Sequence, residues 1–247
     1  MLQGKRAIVS GASRGIGRAI ALRLAKAGAD VMVHGTNAEA LNALAQEIAA
    51  LGVRSAWIAG DVAAPETAQE AVAQATEAFG GVDILVCNAG INTRSSTLDM
   101  ALDDWQRVMD VNLNGTLHFC RAVLPGMIAQ GGGKIVNVSS TTAKTPHKNA
   151  APAYGASKAA VNYLTQHLAR EMAPHGIFVN AVCPGPVESD MTAQWDEAYR
   201  ERVLAGVPIG RLGTPEQIAE TVVFLAGPGS DFITGETVNA NGGTYMN

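Results

Sequence analysis

The chain has 247 residues, 47% hydrophobic and 16% charged, with a formal net charge of −4. That length suits one large domain or two small ones with a sizeable core. Mild acidity without a long basic run argues against nucleic acid and anionic membrane as partners, and no apolar run reaches transmembrane length.

The chain enters a strand-like segment at once, with nothing resembling a secretory signal. Cys87, Cys120 and Cys183 each lie in an apolar stretch, their number is odd, and no C-x-x-C spacing occurs. Reduced, buried thiols in a cytoplasmic protein are the expectation. The five histidines are scattered, so no metal site is expected.

In chain order, short β-branched runs at 6–10, 30–34, 54–59, 84–87, 134–138, 178–182 and 237–239 read as strands. Alanine- and leucine-rich patterns at 15–27, 38–51, 65–79, 102–130, 153–173 and 215–226 read as helices. Pro65 and Pro215 suit first helical positions, and Thr214 suits a cap. Such alternation implies βαβ units. The expectation is a single α/β domain over 1–247: a Rossmann-type doubly wound parallel sheet of about seven strands with helices on both faces. Residues 184–213 break the pattern. They are polar, punctuated by glycine and proline, and contain Trp195 and Tyr199. The reading is a mobile, substrate-covering excursion with a short helix; the plain alternative is a surface loop.

The first strand runs into Ser10-Gly11-Ala12-Ser13-Arg14-Gly15-Ile16-Gly17 and then a helix. Glycines there allow a tight turn and close backbone approach to a phosphate at the helix N-terminus, which fits dinucleotide binding. A carboxylate ending the second strand would select a free ribose diol, but this chain reads His34-Gly35-Thr36-Asn37. With Arg14 in the glycine loop, that favours NADP(H), with NAD(H) still possible. Further motifs fall at strand ends: Gly60-Asp61-Val62, Cys87-Asn88-Ala89-Gly90, Ser139-Ser140 and Pro184-Gly185-Pro186-Val187-Glu188-Ser189. Asn112 lies within the long helix that follows the fourth strand.

Tyr154 and Lys158 stand four residues apart, one helical turn. An ammonium one turn from a phenol favours the phenolate, so Lys158 is expected to lower the Tyr154 pKa and make it a general acid or base. Taken alone, the pair is a weak signal and reads more readily as a packed tyrosine beside a solvated lysine.

Together, in this order and spacing, these motifs resemble the short-chain dehydrogenase/reductase family over essentially the whole chain. The resemblance implies an NAD(P)-dependent enzyme interconverting a carbonyl and a secondary alcohol. It makes Tyr154 the proton donor or acceptor and Lys158 its pKa-lowering, ribose-binding partner. Ser140 would hold the substrate oxygen, and Asn112 would fix the helix and a water relaying protons to Lys158. Gly11, Ser13, Arg14, Gly15, Ile16, Gly17 and Thr36 would hold the cofactor's phosphates and 2′ side. Asp61 and Val62 would border the adenine, and Asn88, Ala89 and Gly90 the ribose. Pro184, Gly185, Val187 and Ser189 would face the carboxamide, although many members have threonine where Ser189 stands.

Among members, the chain is closest to 3-oxoacyl-acyl-carrier-protein reductase-like proteins, which implies NADPH-dependent ketone reduction. The alternative is a polyol, sugar or hydroxy-acid dehydrogenase of the same fold. A non-catalytic nucleotide binder is disfavoured by the intact Asn112, Ser140, Tyr154 and Lys158 set. Two departures count against an acyl carrier protein as partner. The segment 128–133 carries no cation, and His175 stands where a docking arginine is expected. Lys144, His147, Lys148 and Asn149 lie between Ser140 and Tyr154, and Arg94 follows the Asn-Ala-Gly turn. From these, Arg94 and His147 are read as substrate contacts for a small polar or anionic substrate; a solvated loop is the alternative. The family also implies a homotetramer, consistent with apolar faces on the 102–130 and 153–173 helices.

Overall fold

In this computed structural model, residues 1–146, 150–189 and 192–246 are described. One sheet of seven parallel strands runs through them in the order β3-β2-β1-β4-β5-β6-β7. The strands are β1 (Arg6–Val9), β2 (Asp30–Gly35), β3 (Ser55–Ala59), β4 (Ile84–Cys87), β5 (Gly133–Val138), β6 (Ile177–Pro184) and β7 (Thr237–Ala240). The helices are α1 (Gly15–Lys26), α2 (Ala38–Ala49), α3 (Pro65–Phe79), α4 (Leu102–Met109), α5 (Gly115–Ala129), α6 (Pro152–Met172), α7 (Glu197–Leu204) and α8 (Pro215–Ala226).

Strand period decides which helices cover which face. Ala7 and Val9 of β1, with Val31 and Val33 of β2, pack against Ile20 and Leu24 of α1, Leu41 and Leu44 of α2, and Ile218 and Val222 of α8. Ile8 and Met32, one residue out of phase, join Ala71 of α3, Phe119 and Val123 of α5, and Leu168 of α6 on the opposite face. Both faces are therefore apolar, as a parallel sheet requires. Thr214 starts α8 with a reciprocal capping box to Gln217. Cys87, Cys120 and Cys183 are free and buried. Among the described residues, no helix is long and apolar enough to cross a membrane.

One expectation about the elements is corrected. The pattern at 102–130 is not one α-helix: α4 and α5 are joined by a π-helical turn, Asp110–Asn114. Composition carries no signal for this, because an inserted residue leaves the polarity of the stretch helical. Lys144 is not a cation waiting for substrate. Its Nζ donates to Thr237 O and Asn239 Oδ1, both at 2.8 Å, and ties the turn after β5 to β7.

The 184–213 excursion contains the short helix α7 and is closed at its base. Val187 bridges to Gly213, with Gly213 N donating to Pro186 O at 3.0 Å and Glu188 N to Gly213 O at 2.9 Å.

Candidate active site

Strand order reverses direction between β1 and β4, and a crevice opens there beyond the strands' carboxyl ends. It holds a cavity of about 910 Å³. The walls are the β1–α1 loop, the ends of β2, β3 and β4, the Ser139–Thr142 turn, the start of α6 and the 184–207 excursion.

One wall is mostly backbone. Ser10 Oγ accepts from Asn88 N (3.0 Å) and Ala89 N (3.2 Å), and Asn88 Nδ2 donates to Gly11 O at 2.9 Å. The Asn-Ala-Gly turn is thereby locked onto the glycine loop. Two glycines are required by closeness. A Cβ on Gly11 would lie 2.6 Å from Ala89 Cα, and one on Gly17 would lie 2.2 Å from Gly11 O. Arg14 precedes α1 without making a side-chain cap, and no acidic residue stands in the first turn. The helix thus presents uncapped N–H groups and its positive end to the cavity, which fits a dinucleotide's phosphates. At the end of β2, Asn37 caps α2 by accepting from Ala40 N at 3.0 Å, leaving Thr36 and Arg14 at the cavity wall.

Asp61 and Val62 line the same cavity. Burial alone would raise the Asp61 carboxyl, but the Ala63 amide and the Arg107 guanidinium, 2.8 Å away, hold it below its ordinary range. Beneath them His34 is buried against Phe119, and desolvation pushes its pKa down to about 4 despite a hydrogen bond to Gly60 O. A neutral His34 adds no cation near the 2′ position. The sequence reading missed both Arg107 and the state of His34, since neither belongs to a local motif.

The chemistry-bearing side chains converge from three elements. Asn112, fully buried, sits in the π-helical turn. Its Oδ1 accepts from Ile91 N (2.8 Å), and its Nδ2 donates to Ile91 O and Ser157 Oγ (both 3.0 Å). These bonds bind the π turn to the β4 exit and to α6, and none of them goes to Lys158. Ser140 follows β5, where its Oγ accepts from Thr142 N at 3.1 Å. Tyr154 and Lys158 stand on α6, the lysine almost wholly buried. Lys158 Nζ donates to Val138 O at 2.7 Å, and Ser139 Oγ donates to the Lys158 carbonyl at 3.2 Å.

The electrostatics differ from the sequence expectation. Burial pushes the Tyr154 phenol up, a shift that a hydrogen bond with Ser140 opposes. Desolvation pushes Lys158 down, to about 8. With the ammonium turned to the Val138 carbonyl, Lys158 does not lower Tyr154 here; low dielectric dominates both groups. A neutral phenol beside Ser140 is a proton donor. The two hydroxyls mark a point where a substrate oxygen could be held as negative charge develops on it.

All the cofactor positions read from the sequence line this cavity, Pro184, Gly185, Val187 and Ser189 included. Arg94 lies on its substrate side; His147 falls outside the described residues. Thr142, Trp195 and Arg202 also line it but were not singled out as contacts. Their motifs are uninformative, although the length of the excursion was a signal for the last two.

Comparisons with known proteins bear on the family. A family model described as enoyl-(acyl carrier protein) reductase matches residues 11–245. The chain is 41% identical to the 3-oxoacyl-acyl-carrier-protein reductase FabG of Aquifex aeolicus, covering 99% of this chain and 98% of that one. It is 42% identical to the Vibrio cholerae protein of the same name, covering 99% of each. Among solved structures, a short-chain type dehydrogenase/reductase from Mycobacterium marinum superposes with a TM-score of 0.92 at 37% identity, covering 100% and 97% of the two chains. A structure described as a short-chain alcohol dehydrogenase from Sinorhizobium meliloti superposes with a TM-score of 0.94 at 38% identity, covering 98% and 97%.

Proposed function

The chain belongs to the short-chain dehydrogenase/reductase family, oxidoreductases that interconvert a carbonyl and a secondary alcohol, and we propose that it reduces 3-oxoacyl thioesters with NADPH. The observation that carries this reading is the Ser140–Tyr154 pair at the cavity wall, with the phenol held protonated by its desolvated setting. Two convergent hydroxyls suit a carbonyl oxygen. They favour a ketone over the carbon–carbon double bond suggested by the family model's description. The 3-oxoacyl assignment draws on the names of relatives about 40% identical over their whole length.

In this reading Ser140 orients the carbonyl and Tyr154 delivers a proton to its oxygen. The bound nicotinamide supplies hydride. Lys158 lines the cavity beside Gly90, where a Cβ would come within 3.3 Å of Nζ, a place from which it can reach a ribose. Asn112 acts as a positioning residue, holding Ile91 and Ser157. NADPH is favoured over NADH because Arg14 faces the cavity, Asn37 is engaged in its cap, and no carboxylate ends β2. The protein is cytoplasmic and homotetrameric in this reading. Carrier docking is left without its cations at 128–133 and at His175.

The test is a panel of acetoacetyl thioesters, simple ketones, keto sugars and polyols with NADPH and NADH. Thioester reduction with NADPH is expected to lead. Tyr154→Phe should lose roughly 10²–10⁴-fold in kcat while keeping cofactor binding and thermal stability. Retained turnover in that variant, or a panel led by polyol oxidation, would overturn the reading.

A further inference from the structure

The cavity at Tyr154 continues into a second chamber of about 820 Å³. The two share Arg94, Thr142, Thr145, Pro146, Ala150 and Tyr199. The chamber lies over the opposite side of α6's first turns, where Gly155, Ala156 and Ala159 leave space because their side chains are small or missing. A backbone hydrogen bond from Ala151 N to Thr93 O, 3.1 Å, holds its two loop walls together.

The lining has a definite chemistry. Alanine and proline surface alternates with hydroxyls, Ser95 and Thr97 among them, and the lining includes two cations and no acidic residue among the described residues. Lys144 is spent on Thr237 and Asn239. Arg94 is exposed and has no carboxylate within ion-pair distance among the described residues. Five buried side-chain polar atoms among the described residues lack a hydrogen-bond partner, and two of them, Thr93 Oγ1 and Ser95 Oγ, belong to the 93–97 wall of this chamber, while a third, Trp195 Nε1, faces the first cavity. Buried polar groups left without partners in a folded chain point to a ligand or solvent that completes them.

We propose that this chamber receives the end of the substrate remote from the reacting carbonyl, and that Arg94 there binds a terminal carboxylate. The preferred substrate is then a 3-oxoacyl thioester whose acyl chain ends in an acid rather than a methyl group. This rests on the thioester reading above. A guanidinium without an internal counter-ion gains a charge-assisted pair from such a ligand, while a methyl terminus would gain only the alanine and proline part of the lining and leave the cation unpaired.

The experiment compares kcat/KM for two thioesters of equal length, one ending in carboxylate and one in methyl. The wild type should prefer the acid by about 10- to 100-fold, the effect of one hydrogen-bonded charge pair. Arg94→Gln should erase that preference through KM while leaving the methyl-ended substrate unchanged, and Arg94→Lys should restore part of it. Ala159→Leu, which fills the chamber from an exposed helix position, should impair the acid-ended substrate and spare acetoacetyl thioester. No preference in the wild type, or an equal loss on both substrates in Arg94→Gln, overturns the inference. A separate readout is the thermal shift produced by glutarate on the cofactor-bound enzyme. If neither thioester is reduced, the thioester reading fails. The chamber assignment then stands if glutarate stabilises the wild type but not Arg94→Gln, and falls if both respond alike.

Discussion

The glycine-loop side of the crevice, where we propose the nucleotide binds, is built mainly from backbone, and the side around Arg94 and the excursion, where we propose the substrate binds, mainly from side chains on loops. On the first side, Gly11, Gly17, Asn88 and Ser10 interlock so closely that one added carbon collides with main-chain atoms. On the second, Arg94, Thr142, Trp195 and Arg202 come from segments far apart in the chain, and Thr93 Oγ1, Ser95 Oγ and Trp195 Nε1 stand buried without partners. The difference separates what the fold must hold fixed for any dinucleotide from what it leaves open for a particular substrate. A phosphate needs N–H groups at short range, which only a tight turn supplies. A substrate tail needs volume and a few placed polar groups, which many loop sequences can supply.

The sharpest way to break this contrast is to add a methyl group to the backbone-built side. Gly17→Ala would place Cβ 2.2 Å from Gly11 O and 2.4 Å from Asn88 Nδ2, so the loop has to shift. Cofactor affinity should fall by about 100-fold, since the misplaced turn forfeits charge-assisted N–H contacts. Gly15→Ala is the control. Nothing lies within 4 Å of its Cβ, and its φ of +54° carries only backbone strain, roughly 1–2 kcal/mol. It should lower thermal stability more than it lowers affinity. Equal effects on NADPH titration in the two variants would mean that close approach is not what the loop is built for.

The next largest effect tests the joint between the two sides. Asn112 spends its side chain on both backbone groups of Ile91 and on Ser157. Asn112→Ala orphans the two partly buried Ile91 groups, while Ser157 Oγ keeps its bond to Tyr154 O; at about 1–2 kcal/mol for each, the lower part of the range for a buried orphan, a total loss of about 2–4 kcal/mol in urea unfolding is expected. Because Ile91 begins the segment that carries Arg94, the KM for substrate should rise more than the KM for cofactor. A variant as stable as the wild type would show that the π turn is not this joint.

The same contrast explains what could be read from the sequence. Glycine loops, strand ends and the α6 pair are local motifs whose spacing maps directly onto geometry. The seven-strand sheet, both helical layers and the convergence of Ser140, Tyr154 and Lys158 on one cavity accordingly follow from order and periodicity. The π turn at Asp110–Asn114 was not legible, because hydrophobic pattern is blind to one inserted residue. The tie made by Lys144 was not legible for another reason. Its chain position beside Ser140 suggests the substrate, yet its partners lie on β7, 93 and 95 residues away. The Tyr154 direction was misread because pairwise spacing says nothing about desolvation, which here outweighs the neighbouring charge.

That desolvation gives the smallest and most specific prediction. Lys158 has a folded-state pKa of about 8 against an ordinary 10.5, so the native protein releases this proton before the unfolded chain does. Below pH 8 both states hold the proton and the burial penalty is fully present. Between about 8 and 10.5 the unfolded state binds more protons, so folding stability contributed by this site rises with pH, and above 10.5 the site contributes no further slope. Lys158→Met lacks the titration. The stability of the wild type relative to Lys158→Met should therefore improve across that window, by on the order of 3 kcal/mol. Urea unfolding of both proteins at several pH values measures it. A flat difference would mean that the lysine is solvated in the native state. A difference falling with pH would mean that a negative partner holds it charged, and the unshifted sequence expectation for Tyr154 would return, because a charged Lys158 one turn away is what lowers a phenol.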